Sequence, residues 1–379
     1  MHDRSPIPLL VPDMPGPDAL VPYLWRMHES RQYSNFGPLV REFEVRLWEL
    51  FRQGAPGPVA LTTVSSATTG LELVLSSLGL RPGARVLLPA LTFVATATVV
   101  LRLGLVPVLA DVDPDSWLLT PEIATDILAT TPFDAVMPVA AFGAPQPLKA
   151  WETFEHRTGI PVVIDAAPAF GSQAMDAASG TVVFSLHATK SFAAGEGGIV
   201  VSMDRELVRK VREASNFGIN LDAAAAMPIG SLASVGTNAK MSEYHAAVAL
   251  AAMATWDQRV AARHALYWNL RRQLEEAAGG RLRWQAGNAQ CAPSLLCVRL
   301  ESGAARAHLE QTCSAEGIGT RRWYQPLLTA MPILASQCVR LPVPHASGIA
   351  EDLIGLPFFP AMTLEQQTRV VAAVKATVA

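Results

Sequence analysis

From residue 59 to residue 202 the chain alternates short apolar, often β-branched runs with stretches of helical spacing, and few architectures accommodate that rhythm. Val59 to Val64 leads to a helix over 68–79, Arg85 to Pro89 leads to a helix over 93–103, and Val106 to Val112 follows. Ala135 to Val139, Val162 to Asp165, Val182 to Phe184 and Ile199 to Ser202 continue the series. Parallel neighbouring strands need a long crossover, usually a helix, so the pattern predicts βαβ units and a largely parallel sheet covered on both faces. At 379 residues, 50% hydrophobic and 17% charged, the chain is long and apolar enough for two domains sharing a substantial core.

The flanking segments read differently. Residues 1 to 22 are rich in proline and polar turns and predict an extended arm, and residues 39 to 52 carry apolar positions three or four apart, an amphipathic helix. A long helix is expected from Ser242 to about Glu276 as a bridge to a smaller α+β unit. That unit should contain strands at Ser294 to Leu300 and Gly319 to Trp323 and helices over 304–316 and 364–376. The expected organisation is an N-terminal arm and helix (1–57), a large α/β domain (58–255) and a small C-terminal domain (256–379).

Composition also excludes functions. A net charge of −3 gives no footprint for nucleic acid or an anionic membrane. The greasiest stretch, Val86 to Val112, is interrupted by Pro89, Arg102 and Pro107, which argues against a membrane helix. The opening Met-His-Asp-Arg-Ser-Pro-Ile-Pro lacks the pattern of a secretory signal. Cys291, Cys297, Cys313 and Cys338 lack paired zinc spacing and read as small core residues of a reducing compartment, so no metal is expected and the cytoplasm is the expected location.

Ligands of open α/β sheets gather beyond the carboxyl ends of the strands, and the chemically suggestive residues fall there. Only five of the 30 basic residues are lysines, and one of them, Lys190, follows a β-branched run and precedes Gly195, Gly197 and Gly198. Lysine can act as an amine nucleophile where arginine cannot. Asp165 closes the apolar run Pro-Val-Val-Ile-Asp, 25 residues earlier; it suits either a helix cap or a carboxylate paired with a ligand nitrogen. Val-Ser-Ser-Ala-Thr-Thr-Gly, residues 64 to 70, takes a strand end into a helix start, either a plain cap or a phosphate cradle. Phe93, early in the next predicted helix, is either core or a stacking platform. A Schiff-base lysine, a carboxylate for a pyridine nitrogen, anion-binding groups and a flat ring are together what pyridoxal phosphate requires.

These motifs resemble a known family. Ser66-Ala67-Thr68, Pro89-x-x-Thr92-Phe93-x-Ala95-Thr96, Ile164-Asp165-Ala166-Ala167, and Phe184-Ser185-x-His187-x-Thr189-Lys190 followed by Gly195-Glu196-Gly197-Gly198 look like the DegT/DnrJ/EryC1/StrS nucleotide-sugar aminotransferases. The likeness implies a fold-type I pyridoxal-phosphate enzyme, with a mostly parallel seven-stranded sheet between helices and a smaller α+β domain. It further implies that Lys190 holds pyridoxal 5'-phosphate as an imine and that Asp165 pairs with the ring nitrogen. Ser66, Ala67, Thr68 and Ser185 would hold the phosphate, and Phe93 would stack on the ring. Asn216-Phe217-Gly218 and Gly236 to Glu243 resemble the loop that reaches a neighbouring subunit, so Asn238 implies a homodimer with shared active sites. Asn35, Lys240 (where many members have arginine), Arg322 and Tyr324 are the implied substrate contacts. The substrates implied are an amino-acid donor, L-glutamate by analogy, and a nucleotide-linked keto-deoxysugar of the dTDP-4-keto-6-deoxyhexose type.

Two departures stand out. Pro168 occupies a position where many members have a cofactor-contacting glutamine, and Ala193-Ala194 replaces a common Thr-Thr. Lys190 argues against a sugar dehydratase of the same fold, in which histidine replaces the lysine. Pro168 leaves open a non-catalytic cofactor- or sugar-binding sensor, and a non-sugar ketone is the remaining alternative for the acceptor.

Overall fold

The computed structural model describes residues 5–287 and 293–378; Cys291 lies outside them. Seven strands carry the architecture: β1 (Ala60–Val64), β2 (Arg85–Pro89), β3 (Val106–Ala110), β4 (Ala135–Val136), β5 (Val163–Asp165), β6 (Thr181–Ser185) and β7 (Gly198–Ser202). They form ladders in the orders β1-β7-β6-β5 and β4-β2-β3, the latter extended at its edge by β9 (Val339–Arg340). Parallel bridges Val136–Val162 and Val139–Asp165 join the two ladders into one surface, in the order β3-β2-β4-β5-β6-β7-β1. Pairs β2–β3, β2–β4 and β5–β6 are parallel, whereas β7 runs antiparallel to both β6 and β1. The physical reason lies in residues 186–197, which contain no helix: the chain leaving β6 turns straight back, and a direct return is necessarily antiparallel.

Period-two alternation sorts the strand residues between two cores. Leu87, Val182, Phe184, Ile199 and Val201 face one, and Val86, Leu88, Val183 and Val200 face the other. The first is covered by α2 (Pro38–Phe51), α6 (Leu148–Thr158) and α8 (Glu243–Met253), and the second by α3 (Ala67–Ser77), α4 (Val94–Arg102) and α7 (Arg205–Ser215). Helices α1 (Pro17–Ser30) and α5 (Pro121–Leu128) complete the large unit. On α2 the helical spacing of Leu39, Phe43 and Leu47 places all three fully inside; truncating Phe43 to alanine would cost about 3–5 kcal/mol. The N-cap of α2 is Gly37, which has no side chain, and its first N–H groups are served from 200 residues away. The buried Glu243 carboxylate accepts from Leu39 N and Val40 N, both at 2.8 Å.

A third core joins α9 (Trp256–Ala278), β8 (Leu296–Arg299), α10 (Gly303–Ala315), β10 (Leu353–Leu356) and α12 (Leu364–Val378), with β8 and β10 antiparallel. Helix α11 (Pro344–Asp352) instead contributes Ala346, Ile349 and Ala350 to the second sheet core. The arm belongs to the third core. Ile7 exchanges backbone bonds of 2.8 Å with Gly317 and Gly319, Leu9 accepts from Phe358 N at 3.1 Å, and Arg259 binds the Asp13 carboxylate at 3.2 Å.

Several expectations need correction. The arm is extended only as far as Gly16. Pro17 starts α1, at a position where a missing N–H costs the helix nothing. The single helix over Ser242 to Glu276 is two, broken at Ala254–Thr255, because the turn drops Trp256 between Phe170 and Phe192 with ring centroids 5.2 and 5.1 Å away. Gly319 to Trp323 is not a strand. Arg321 and Gly355 make one isolated bridge, and the Trp323 indole then lies against Gly355, where a ladder neighbour's side chain would need to be. The prediction of helix 93–103 started one residue early, since Phe93 is the N-cap of α4.

Candidate active site

One cavity of about 530 Å³ opens over the carboxyl ends of β1, β2, β5 and β6, within the roughly 300–1,000 Å³ usual for small-ligand sites. Lys190 reaches it from the turn between β6 and β7. That turn is a compact hairpin: Leu186 N bonds Gly197 O, Ala188 N bonds Gly195 O and Lys190 N bonds His187 O, each at 2.9 Å. Gly195 and Gly197 have φ of 84° and 152°, which side-chain-bearing residues rarely adopt. Gly198 answers a different demand. A Cβ there would lie 2.6 Å from the Ser66 carbonyl carbon and 2.7 Å from Ala67 N, so only glycine lets β7 pass the start of α3.

The start of α3 forms the next wall. Ser66 caps it, its hydroxyl accepting from Thr69 N at 3.1 Å. The N–H groups of Ala67 and Thr68 have no acceptor in the preceding turn, and the helix adds partial positive charge there. Ser66, Ala67 and Thr68 line the cavity, as does the Ser185 hydroxyl from the end of β6. Amides and hydroxyls around a helix start suit a phosphate. Phe93 borders the same cavity and is 55% exposed, so it is no core residue here.

Asp165 ends β5 at the cavity wall, 4% exposed. The chain does not enter a helix after it. Ala169 N closes a turn on Ala166 O at 2.9 Å, and Asp165 Oδ1 accepts from Ala167 N at 3.1 Å. Oδ2 accepts from the Thr96 hydroxyl at 2.9 Å, and Thr96 pairs with Thr92 at 2.9 Å. Burial pushes the Asp165 carboxyl above its usual range, opposed by the Thr96 and Ala167 bonds and the nearby Lys190 charge. Burial pushes the Lys190 ammonium down, opposed by Asp165. The site thus favours a neutral, nucleophilic amine at Lys190.

Tyr324 closes the far wall, stacked on Phe142 with centroids 5.0 Å apart, and burial pushes its phenol up. Arg321, rather than the expected Arg322, lines the cavity; Arg322 is drawn away into paired bonds of 2.8 and 2.9 Å with Glu310. Asn35, Asn238 and Lys240 do not line it in this chain. Lys240 Nζ donates to Asn238 at 2.8 Å and sits 4.6 Å from the Phe217 ring centroid, while Asn35 is exposed with φ of 59°. Leu10 of the arm and Glu196 are lining residues to which sequence reasoning gave no role, and Pro168, singled out there as standing in place of a glutamine, also lines the cavity. His187 lies between Thr189, 2.9 Å from its Nδ1, and Glu196, 3.6 Å from its Nε2.

A lysine amine, a buried carboxylate across the cavity and a donor-rich helix start fit pyridoxal phosphate, whose charged phosphate, ring nitrogen and aldehyde each need one of them. Among the described residues no cluster could hold a metal ion and no helix is long and apolar enough to cross a membrane. The fold is similar to that of DesI crystallised with its TDP-sugar product (28% identity, TM-score 0.85, 99% of this chain and 94% of that one). It is also similar to S. venezuelae DesV in complex with a ketimine intermediate (26%, TM-score 0.80, 95% and 94%). 3-Amino-5-hydroxybenzoic acid synthase shares the fold at 24% identity (TM-score 0.80, 97% and 99%). The profile of one family matches residues 19–375, nearly the whole chain: this protein belongs to the DegT/DnrJ/EryC1/StrS aminotransferase family and is a pyridoxal-phosphate-dependent aminotransferase.

Proposed function

We propose that the acceptor is a nucleotide-linked keto-deoxysugar, of the dTDP-4-keto-6-deoxyhexose type, and that L-glutamate is the amino donor. The observation that carries this reading is the convergence of Arg321 and Tyr324 on the cavity that holds Lys190 and Asp165. A guanidinium at the rim suits the donor's carboxylate or the sugar's diphosphate, and an aromatic wall suits a deoxysugar face. The TDP-sugar product bound to DesI supports the same class.

The roles of the chain's own residues follow from their chemistry. Lys190, its amine biased toward neutrality, would hold the cofactor covalently and would take and return a proton at its Nζ. Ser66, Ala67, Thr68 and Ser185 would hold the phosphate, and Phe93 would pack on the ring. Asp165 keeps the ring nitrogen protonated by offering it a carboxylate. When bound, the cofactor supplies the electron sink that lets the substrate's carbon lose a proton.

Asn238 and Lys240 lie away from this chain's own cavity, beside a loop with exposed Ile229, Leu232 and Val235. That placement supports a homodimer in which Asn238 serves the neighbour's phosphate site.

Assaying the purified enzyme with glutamate against a panel of keto-sugar nucleotides tests the proposal. Amine transfer only to a 2-keto acid, a keto-cyclitol or another non-sugar ketone would refute it. A second reading, a cofactor-binding protein without turnover, draws on Pro168, which puts a donor-free residue in the wall. A visible band indifferent to every amine donor would favour it.

A further inference from the structure

We propose that Thr92 and Thr96 form a one-way hydroxyl relay that holds Asp165 as an ionised acceptor, making both threonines positioning residues for amine transfer. The inference rests on the reading of Asp165 as partner of the cofactor's ring nitrogen. Its geometry is a chain of three groups, Thr92 Oγ1 to Thr96 Oγ1 at 2.9 Å and Thr96 Oγ1 to Asp165 Oδ2 at 2.9 Å. All three are buried, with exposures of 2%, 0% and 4%, so bulk water does not compete for any of these bonds.

The direction of the chain follows from counting hydrogens. A threonine hydroxyl has one hydrogen, and an ionised carboxylate has none. While Asp165 is charged, the Thr96 hydrogen is committed to it, so Thr96 can only accept from Thr92. Each bond polarises the next in a low-dielectric interior, and a donor to a charged acceptor is worth about twice a neutral pair. Protonating Asp165 on the Oδ2 lone pair that faces Thr96 would require that hydroxyl to turn around and to displace the Thr92 hydrogen as well, and protonating it elsewhere would weaken the Thr96 bond from a charged to a neutral one. The relay therefore opposes the burial that drives this carboxyl toward its neutral form.

The relay also fixes orientation. Oδ2 is held by Thr96 from α4 and Oδ1 by the Ala167 N–H, which fixes the carboxylate where it borders the cavity. The other charged or titratable groups near Asp165 are Lys190 from the β6–β7 turn and Tyr324 from the C-terminal segment. Neither touches the threonine hydroxyls, so changing Thr92 or Thr96 leaves both in place. Valine matches threonine in volume and would fill either position equally well if packing were the only requirement.

The test uses Thr96→Val, Thr92→Val, Thr96→Ser and Thr92→Ser, with Asp165→Asn as the subtraction reference. In cofactor-free protein, infrared difference spectroscopy should find the Asp165 carboxyl titrating at higher pH in Thr96→Val, moved less in Thr92→Val, and near wild type in both serine variants. In loaded enzyme, Thr96→Val should weaken cofactor retention by about tenfold or more and Thr92→Val by about two- to fivefold. The pH profile of the cofactor's visible absorption should move in both. Thr92→Val, which removes only the neutral bond, carries the test if Thr96→Val does not fold. Folded valine variants whose Asp165 titration and absorption profile match wild type overturn the relay. A shifted Asp165 titration with cofactor retention and absorption profile unchanged upholds the relay and overturns the ring-nitrogen reading instead.

Discussion

Replacing Gly198 by alanine should damage cofactor binding through a backbone collision rather than through any lost contact. Gly198 pairs with Val64 on one side and Ser185 on the other, so ladders on both flanks hold it in place. An added Cβ would stand 2.6 Å from the Ser66 carbonyl carbon and 2.7 Å from Ala67 N, where ordinary contact begins at 3.4 Å. About 0.8 Å must therefore be made up, and the strand cannot supply it. The start of α3 has to retreat, carrying with it the amides assigned to the phosphate. Overpacking of this kind costs about 1–3 kcal/mol of stability. Displacing a positioned group by close to 1 Å can cost about a hundredfold. We expect Gly198→Ala to lower pyridoxal phosphate affinity about 10- to 100-fold, measured by titrating cofactor-free protein and following fluorescence quenching. Chemical denaturation should register the stability loss separately. Gly348→Ala is the control: its Cβ meets nothing within 4 Å inside α11, so alanine should stabilise by about 0.5–1 kcal/mol. A Gly198→Ala protein that titrates like wild type would refute the assignment of the cradle to α3.

Three further outcomes are expected. Glu243→Ala leaves Leu39 N and Val40 N without their buried acceptor, and should cost about 2–5 kcal/mol; unchanged hydrogen exchange at those two amides would contradict this. Burial holds Asp165 above its ordinary 3.8, so the folded protein keeps a proton that the unfolded chain has released, and wild-type stability declines as pH rises from 3.8 through the raised value. Asp165→Asn abolishes that slope, so the cofactor-free variant should gain on wild type with rising pH across this window, and parallel stability curves would count against it. Arg321→Ala should raise the KM of a substrate about tenfold or more by removing a charged donor, whereas Arg322→Ala should leave KM unchanged and lower stability by at most ~1 kcal/mol; the reverse pattern would restore Arg322 to the site.

The strands were legible because buried parallel strands announce themselves as β-branched runs, and six of the seven in the large sheet fall within two residues of the predicted edges. The exception is β4, expected to run on to Val139 but ending at Val136. The residues at strand ends were legible for a related reason: the topology delivers them to one rim. What escaped the sequence was decided by tertiary packing. The α8–α9 break exists because Trp256 has a pocket between two phenylalanine rings, and nothing in the local sequence encodes that pocket. Arg321 and Arg322 are neighbours of the same type; Glu310, twelve positions earlier and on another element, decides which of them leaves the cavity. Leu10 is invisible for the same reason, since its place is set by Gly317, Gly319 and Phe358.

That last arrangement bears on how the enzyme is made. Leu10 is synthesised long before the backbone groups of Gly317, Gly319 and Phe358 that dock its neighbours Ile7 and Leu9. The rim of the cavity is consequently unfinished until Phe358 has been made, and a nascent chain carrying Lys190 and Asp165 still lacks part of the cavity wall. Such distant pairing is slow to form. Lys190 and Asp165 can be in place before it, but the finished cavity cannot.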